Sequence, residues 1–295
     1  MASGVFWCTS CNVPLLNELC ERCGGRGVFV KLGKHVDPRP AFDWDILHTK
    51  KVLDEEFGLG AGEAVIGEGV VLLNKLPYLD KAYEVVCDGV IVGHVFFDLF
   101  ALRWRFKPYQ EGWLRLLEHK LGSWAMVAKK RVEKGDVLNC TDFVEASLPE
   151  CEERYLAILS RRREVIGVGE LRKGSVRVLK AWKPRGEAIR LRTSSWSDVV
   201  EANKAFIVRS ASRSSALLHK TSKRLGSNLV VSYSGGKDSL AALLLTTESG
   251  AEPRVLFNDT GVEMPETLEN VERVSRALGC LLYTSDAADD GESVD

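Results

Sequence analysis

Three groups of residues in this chain have the types and spacing to do chemistry. The first is Ser234-Gly235-Gly236-Lys237-Asp238-Ser239, between an apolar run at Val230 and Val231 and a helix-forming run from Leu240 to Leu245. Gly235 and Gly236 lack a Cβ, so the turn can take positive φ and a ligand can approach the backbone. A helix start adds unpaired N–H groups and a partial positive charge, which favour phosphate or sulfate. Ser234 and Ser239 add hydroxyls and Lys237 a cation; the alternative is a plain strand-to-helix turn with Ser and Lys at the surface. The second group is Asp259-Thr260-Gly261, just past a second apolar strand at Val255 to Phe257, the edge where open α/β sheets bind ligands. Asp259 and the nearby Glu266 also fit a loop acid and a helix-start acid. The third group is Cys8-Thr9-Ser10-Cys11 with Cys20-Glu21-Arg22-Cys23. Two Cys-x2-Cys pairs offer four thiolates to one tetrahedral Zn²⁺ and leave no open position, which favours a structural ion over a catalytic one. A redox dithiol is the alternative.

The string Ser-Gly-Gly-Lys-Asp-Ser is not the common nucleotide P-loop. That motif needs four residues between its first Gly and the Gly-Lys pair, and a hydroxyl after the Lys, where this chain has Asp238. The string instead resembles the PP-loop of ATP pyrophosphatases and sulfonucleotide reductases. Asp259-Thr260-Gly261 followed by Pro265-Glu266-Thr267 is similar to the phosphoadenosine phosphosulfate (PAPS) reductase family. The resemblance implies an α/β fold: a parallel-sheet PP-loop domain of the adenine nucleotide α-hydrolase type. It implies ATP or PAPS held by Ser234, Gly235, Gly236, Lys237, Asp238, Ser239, Asp259, Thr260 and Gly261, with Mg²⁺ as a candidate companion ion. A thiol or ferredoxin-type electron donor would go with it. In that family a cysteine from a C-terminal tail attacks sulfur. No residue here matches that tail, so the catalytic residues stay unassigned, and iron–sulfur ligands of the related adenylylsulfate reductases are not evident. The implied activity is sulfonucleotide reductase-like sulfur metabolism, the chain as given binding nucleotide without turnover. The alternatives are ATP-dependent RNA modification, such as tRNA thiolation by base adenylation, and a non-catalytic RNA-binding module.

The elements that must position these groups read as five segments. Residues 1–30 form a short zinc ribbon. So small a segment has no core of its own, and metal binding, on the order of 10 kcal/mol in zinc-finger peptides, can supply its folding energy. Residues 31–120 are a mixed α+β region. Pro38-Arg39-Pro40 reads as a linker and Phe42 to Phe57 as a helix closing at Gly58. Ala82 to Cys87 and Val90 to Phe97 read as a hairpin with a type I′ turn at Asp88-Gly89. Arg103, Trp104, Arg105, Phe106 and Lys107 alternate cation with aromatic, which suits stacking on nucleic acid or an amphipathic strand with snorkelling arginines. His48 and His94 read as structural.

Residues 121–192 carry short strands and turns, the pattern of a small barrel. Lys134-Gly135-Asp136 and Ile166-Gly167-Val168-Gly169 make the segment similar to a PUA domain, a pseudobarrel of RNA-modifying proteins. Arg161, Arg162, Arg163, Arg172, Lys173, Arg177, Lys180, Lys183, Arg185, Arg190 and Arg192 face only Glu164, Glu170 and Glu187 there. Such a patch fits RNA phosphates or a solvated face. Residues 193–279 are the nucleotide domain: a helix capped by Ser197 running to about Arg224 and ended by Gly226, then alternating βα units with two clear strands, the first of them buried. Residues 280–295 resemble translated transposase-adapter sequence, which would break the true chain near Gly279; the alternative is a third strand and an acidic tail.

A chain of 295 residues with 45% hydrophobic and 27% charged content suits a folded protein of two or three domains. A net charge of −1 makes no global case for nucleic acid. No window has the apolar length of a transmembrane helix, and no signal peptide precedes the cysteines. Eight cysteines, read as metal ligands plus reduced thiols, point to the cytoplasm.

Overall fold

A computed structural model describes residues 4–33, 37–148, 154–225 and 229–286. The chain divides into two units, Met1–Lys204 and Ala205–Asp295. Among the described residues, no helix is long and apolar enough to cross a membrane.

The first unit begins with β1 (Gly4–Cys8), β2 (Val13–Leu15) and β3 (Val28–Lys31), an antiparallel sheet ordered β2-β1-β3. Trp7 is fully buried and donates its indole N–H to Asn12 Oδ1 at 2.9 Å. It packs with Val30 and Leu32 against Val70, Leu72 and Val86, so an apolar contact ties this small sheet to the next one.

Pro38-Arg39-Pro40 is not a linker. It is β4 (Pro38–Pro40), paired antiparallel with β5 (Val71–Lys75). Proline lacks an N–H and is tolerated here because β4 is an edge strand of the sheet. Arg39 forks onto Asp45 at 2.7 and 2.8 Å, fixing β4 to the start of α1 (Asp43–Phe57). Gly58 closes α1 at φ 105°, as its position predicts, and α2 (Ala61–Ile66) follows. β6 (Ala82–Cys87) and β7 (Val90–Asp98) form the expected hairpin, with Asp88 at φ 52° and Gly89 at φ 70°. β8 (Arg103–Pro108) completes the sheet β4-β5-β6-β7-β8, and α3 (Gln110–Glu118) crosses it. Asp88 does more than turn the chain. It accepts from Asn12 at 2.6 Å and pairs with Arg115 at 2.7 Å; Arg115 pairs with buried Glu111, which also holds Arg185. This chain of polar contacts links the cysteine-bearing sheet, the hairpin, α3 and the next sheet.

That next sheet holds β9 (Ser123–Val127), β10 (Val137–Leu138), β11 (Phe143–Ser147), β12 (Tyr155–Leu159), β13 (Val165–Arg172) and β14 (Ser175–Arg185). Its order is β10-β14-β13-β12-β9-β11, antiparallel except for β9 against β12, which run parallel. Alternate residues serve two cores. Tyr155, Ala157 and Leu159 join Val52, Phe106 and Trp113 of the preceding region, whereas Leu156 and Ile158 join Ala125, Leu138 and Val178. Residues 31–120 and 121–192 therefore share one core.

The predicted single helix from Ser197 to about Arg224 is two helices. Ser195, not Ser197, is the N-cap, in a capping box with Asp198. α4 (Trp196–Ala202) ends at Asn203, and α5 (Lys204–Leu225) follows. Asn203 is buried, donates to Pro14 O at 3.0 Å and accepts from Leu16 N–H at 2.7 Å, so it breaks the helix to satisfy β2. These partners tie residues 195–203 to the cysteine-bearing sheet of the first unit, where the sequence reading starts the nucleotide domain at 193. The expected terminator Gly226 lies outside the described residues.

The second unit holds α5, then β15 (Val230–Ser232), α6 (Lys237–Glu248), β16 (Arg254–Asp259), α7 (Pro265–Ala277) and β17 (Leu282–Asp286). The sheet order is β15-β16-β17, and all pairs are parallel. The alternating βα units required this direction. β17 supplies a third strand from the segment set aside as adapter-like; residues 287–295 lie outside the described ones. One face of the sheet is packed, with Val255, Phe257, Leu243 and Val271 buried. The other carries exposed Val230, Leu256 and Tyr283, so β15 is not the buried strand that its composition predicts.

Candidate functional site

In the second unit, Ser234, Gly235 and Gly236 turn the chain from β15 into α6 at the carboxyl edge of the sheet. Gly235 sits at φ 76°, and a Cβ there would lie 3.3 Å from the Thr267 methyl group. The positive φ favours glycine, and the contact would add crowding to any side chain there. Gly236 is the extended N-cap of α6, and the Leu240 N–H returns to its carbonyl at 3.0 Å. Ser239 closes the loop from inside the helix: its hydroxyl donates to Gly236 O at 3.0 Å and lies 3.2 Å from Ser234 Oγ. Among the described residues, nothing accepts from the N–H groups of Gly236, Lys237 and Asp238. Ser234, Gly236, Lys237 and Asp238 are exposed. The turn is therefore open, with donors and the positive end of α6 facing outward. Lys237 Nζ rests 3.0 Å from Asp238 Oδ1, an exposed pair that an anion can displace.

Asp259 ends β16 at the same edge, and its Oδ1 accepts from Gly261 N–H at 2.9 Å, fixing the turn. Thr260 donates to Glu263 at 2.9 Å. Pro265 opens α7 as predicted, with Glu266 in its first turn. The sheet thus brings both sequence groups, residues 234–239 and 259–261, to one edge. The sequence reading missed Asn270, whose amide donates to Tyr233 OH at 3.1 Å and to Gly235 O at 3.3 Å, bracing the loop from α7. No local pattern marks it, because its partners lie more than thirty residues away. Cys280 precedes β17 and so lies at the amino edge. A five-residue strand, about 16 Å long, separates it from the carboxyl edge where the loop sits.

In the first unit, the Sγ atoms of Cys8, Cys11, Cys20 and Cys23 all lie within 4.8 Å of one another. Cys8 to Cys23 is 3.5 Å and Cys11 to Cys20 is 3.8 Å. A tetrahedral ion with Zn–S bonds of about 2.3 Å needs sulfurs about 3.8 Å apart, so the four cysteines are placed to hold a metal such as Zn²⁺. The Cys11 and Gly25 N–H groups each point at a sulfur, of Cys8 and Cys23 respectively, at 3.4 Å. The Gly25 contact lowers the Cys23 thiol to about 7, while burial pushes Cys11 up to about 12. A metal binding here must displace protons.

The expected nucleic-acid surface is smaller than its composition. Arg105 is buried against Glu56 at 3.2 Å, over the Tyr155 ring, and Trp104 packs between His48 and Phe97. The alternating stretch is a structural strand at those positions. Arg163 pairs with Glu145, Arg172 with Glu170, Arg185 with Glu111, Arg190 with Glu118 and Arg192 with Asp198. Arg161 and Arg162 are exposed without an acidic partner among the described residues.

An uncharacterized protein of Methanocaldococcus jannaschii is 32% identical over 299 residues, which cover 92% of this chain and 61% of that protein. A second from the same organism is 27% identical over 241 residues, 80% of this chain and 54% of its own. The chain thus spans just over half the length of these relatives. Glutamine-dependent NAD+ synthetase from Acinetobacter baumannii, solved with ADP, aligns over 73% of this chain and 49% of its own at 9% identity and a TM-score of 0.24. Residues 228–293, which contain both the 234–239 loop and the 259–261 turn, match the phosphoadenosine phosphosulfate reductase domain, an adenine nucleotide-binding family of the PP-loop type.

Proposed function

We propose that the loop from Ser234 to Ser239 grips the oxyanion end of ATP or PAPS, with Asp259, Thr260 and Gly261 beside it, as part of a PAPS reductase-like enzyme of sulfur metabolism. The observation that carries this reading is the open set of N–H groups at Gly236, Lys237 and Asp238, on the edge that the match to a PAPS reductase domain spans. Lys237 swings from Asp238 to the ligand. Mg²⁺, where it accompanies ATP, has Asp238 and Asp259 nearest in sequence to the loop and the turn. Cys280 lies at the wrong edge for a thiol that attacks sulfur, so that thiol must come from elsewhere. The four-cysteine cluster carries a structural Zn²⁺, which fits a reducing, cytoplasmic setting.

A second reading is favoured by one observation in the first unit. Residues 121–192 form a six-stranded mixed sheet whose loops leave Lys129, Lys130, Arg131, Arg161 and Arg162 without acidic partners among the described residues, which supports a PUA-like RNA-contact role and, with ATP on the loop, RNA modification by base adenylation. Nucleotide preference tests both. In calorimetric titrations of the full chain, PAPS bound more tightly than ATP supports the reductase reading. Tight ATP with PAPS ignored sinks it in favour of RNA modification, and binding of neither removes the loop as a site.

A further inference from the structure

We infer that the cleft between the β9–β10 loop and the β12–β13 turn is a binding site for the phosphate backbone of RNA; this rests on the RNA-contact reading above. The cleft holds about 560 Å³ and is lined by Lys129, Lys130 and Arg131 from one loop and Arg161 and Arg162 from the other. The two loops are far apart in sequence. They meet because β9 and β12 pair in parallel, Leu159 opposite Met126, so both strands deliver their carboxyl ends to the same edge of the sheet. All five cations are exposed, and none has an acidic partner among the described residues. The one acid in the lining, Glu164, is held back by the Ser160 hydroxyl at 2.9 Å. Neighbouring Arg163 is already paired with Glu145.

Five like charges around a concavity repel one another and focus a positive field into it. Arg163, Arg172, Arg185, Arg190 and Arg192 have found carboxylates; among the described residues these five have not. A polyanion supplies what they lack. The lining has only Ala128 and Pro184 as apolar members, so nothing in it can insert into lipid, whereas a phosphodiester chain needs no apolar contact.

The test uses the full chain and a fluorescein-labelled single-stranded RNA, with anisotropy read between about 50 and 200 mM salt. Each phosphate contact on a single strand contributes a log–log slope of about −0.7. Lys130→Ala with Arg161→Ala is expected to weaken binding roughly 10- to 100-fold at low salt and to flatten the slope by about 1.4. Lys130→Arg should keep the affinity, and unchanged melting shows that the fold is intact. A second double variant on α5, Arg213→Ala with Lys220→Ala, should bind as the parent does. RNA bound by the parent but unaffected by the cleft variant, or lost instead with the α5 variant, overturns the cleft and leaves the RNA reading standing. No RNA binding by the parent overturns the RNA reading itself. Phosphatidylserine vesicles captured through the same five residues, with RNA ignored, overturn the proposal in favour of a membrane surface.

Discussion

Replacing Cys20 by Ser probes the cysteine cluster with almost no change in volume. Cys20 is 1% exposed, and its sulfur lies 3.8 Å from that of Cys11, already at the edge length of a zinc tetrathiolate. Structural Zn²⁺ in zinc-finger peptides contributes about 10–16 kcal/mol, so an equal share per thiolate is about 2.5–4 kcal/mol. Losing one share weakens metal binding roughly 10²- to 10³-fold. The loss should spread to Trp7, which is fully buried against Val70, Leu72 and Val86 and lies next to Cys8 in β1. The assay is Co²⁺ titration of the full chain followed by absorption, with tryptophan emission recorded in parallel. The chain has 7 tryptophans, so Trp7→Phe supplies the difference spectrum. The parent should give thiolate-to-cobalt charge-transfer bands and a blue Trp7 emission. Cys20→Ser should give weaker bands at far higher cobalt, and a red-shifted Trp7. A chelator that leaves Trp7 emission and melting unchanged, or cobalt that binds without thiolate bands, would refute the cluster as a metal site.

Other expectations concern the second unit and the sheet of β4 to β8. Lys237→Ala should weaken ATP or PAPS by about 1.5–3 kcal/mol in calorimetry, the value of one charge-assisted hydrogen bond, with melting unchanged. Gly235→Ala forces a side chain to φ 76° beside Thr267, which should cost about 1–2 kcal/mol in denaturant unfolding and reduce nucleotide binding more than Ser234→Ala does. Phe257→Ala should cost about 3–5 kcal/mol because Phe257 is 3% exposed, whereas Leu256→Ala, on the uncovered face, should stay within about 1 kcal/mol. Burial alone would raise the Glu84 pKa, but His94, the Gly33 N–H and Asn74 outweigh it and hold the carboxyl below its ordinary value. Its stabilisation is therefore present above the ordinary carboxylate range and fades as pH falls through the lowered value. Glu84→Gln should lower the neutral-pH melting temperature and flatten the acid limb.

Local chemistry was legible. The glycine turn at 234–239, the Asp88-Gly89 hairpin, the Gly58 stop and Pro265 opening α7 each depend on a few adjacent residues, and each sits where the sequence places it. Whatever depends on a distant partner was not legible. Pro38–Pro40 looks like a linker until β5 lies beside it. Asn203 looks like a mid-helix residue until Pro14 and Leu16 claim its side chain. The basic excess of residues 161–192 looked like one patch, yet Glu111, Glu118 and Glu145, all earlier in the chain, neutralise part of it. Lys129, Lys130 and Arg131 went unread for the converse reason: only the parallel pairing of β9 with β12 puts them next to Arg161. Among the groups at the nucleotide edge, Asn270 was invisible because helical periodicity does not report which loop a side chain braces.

Amide chemical shifts of the full chain, followed as ATP and then PAPS is added, bear most directly on the oxyanion loop. The account requires the Gly236, Lys237 and Asp238 N–H signals to move first and furthest, with Asn270 following and Gly235→Ala weakening the response. Millimolar nucleotide that leaves those amides still, while shifting signals elsewhere in the chain, would contradict it.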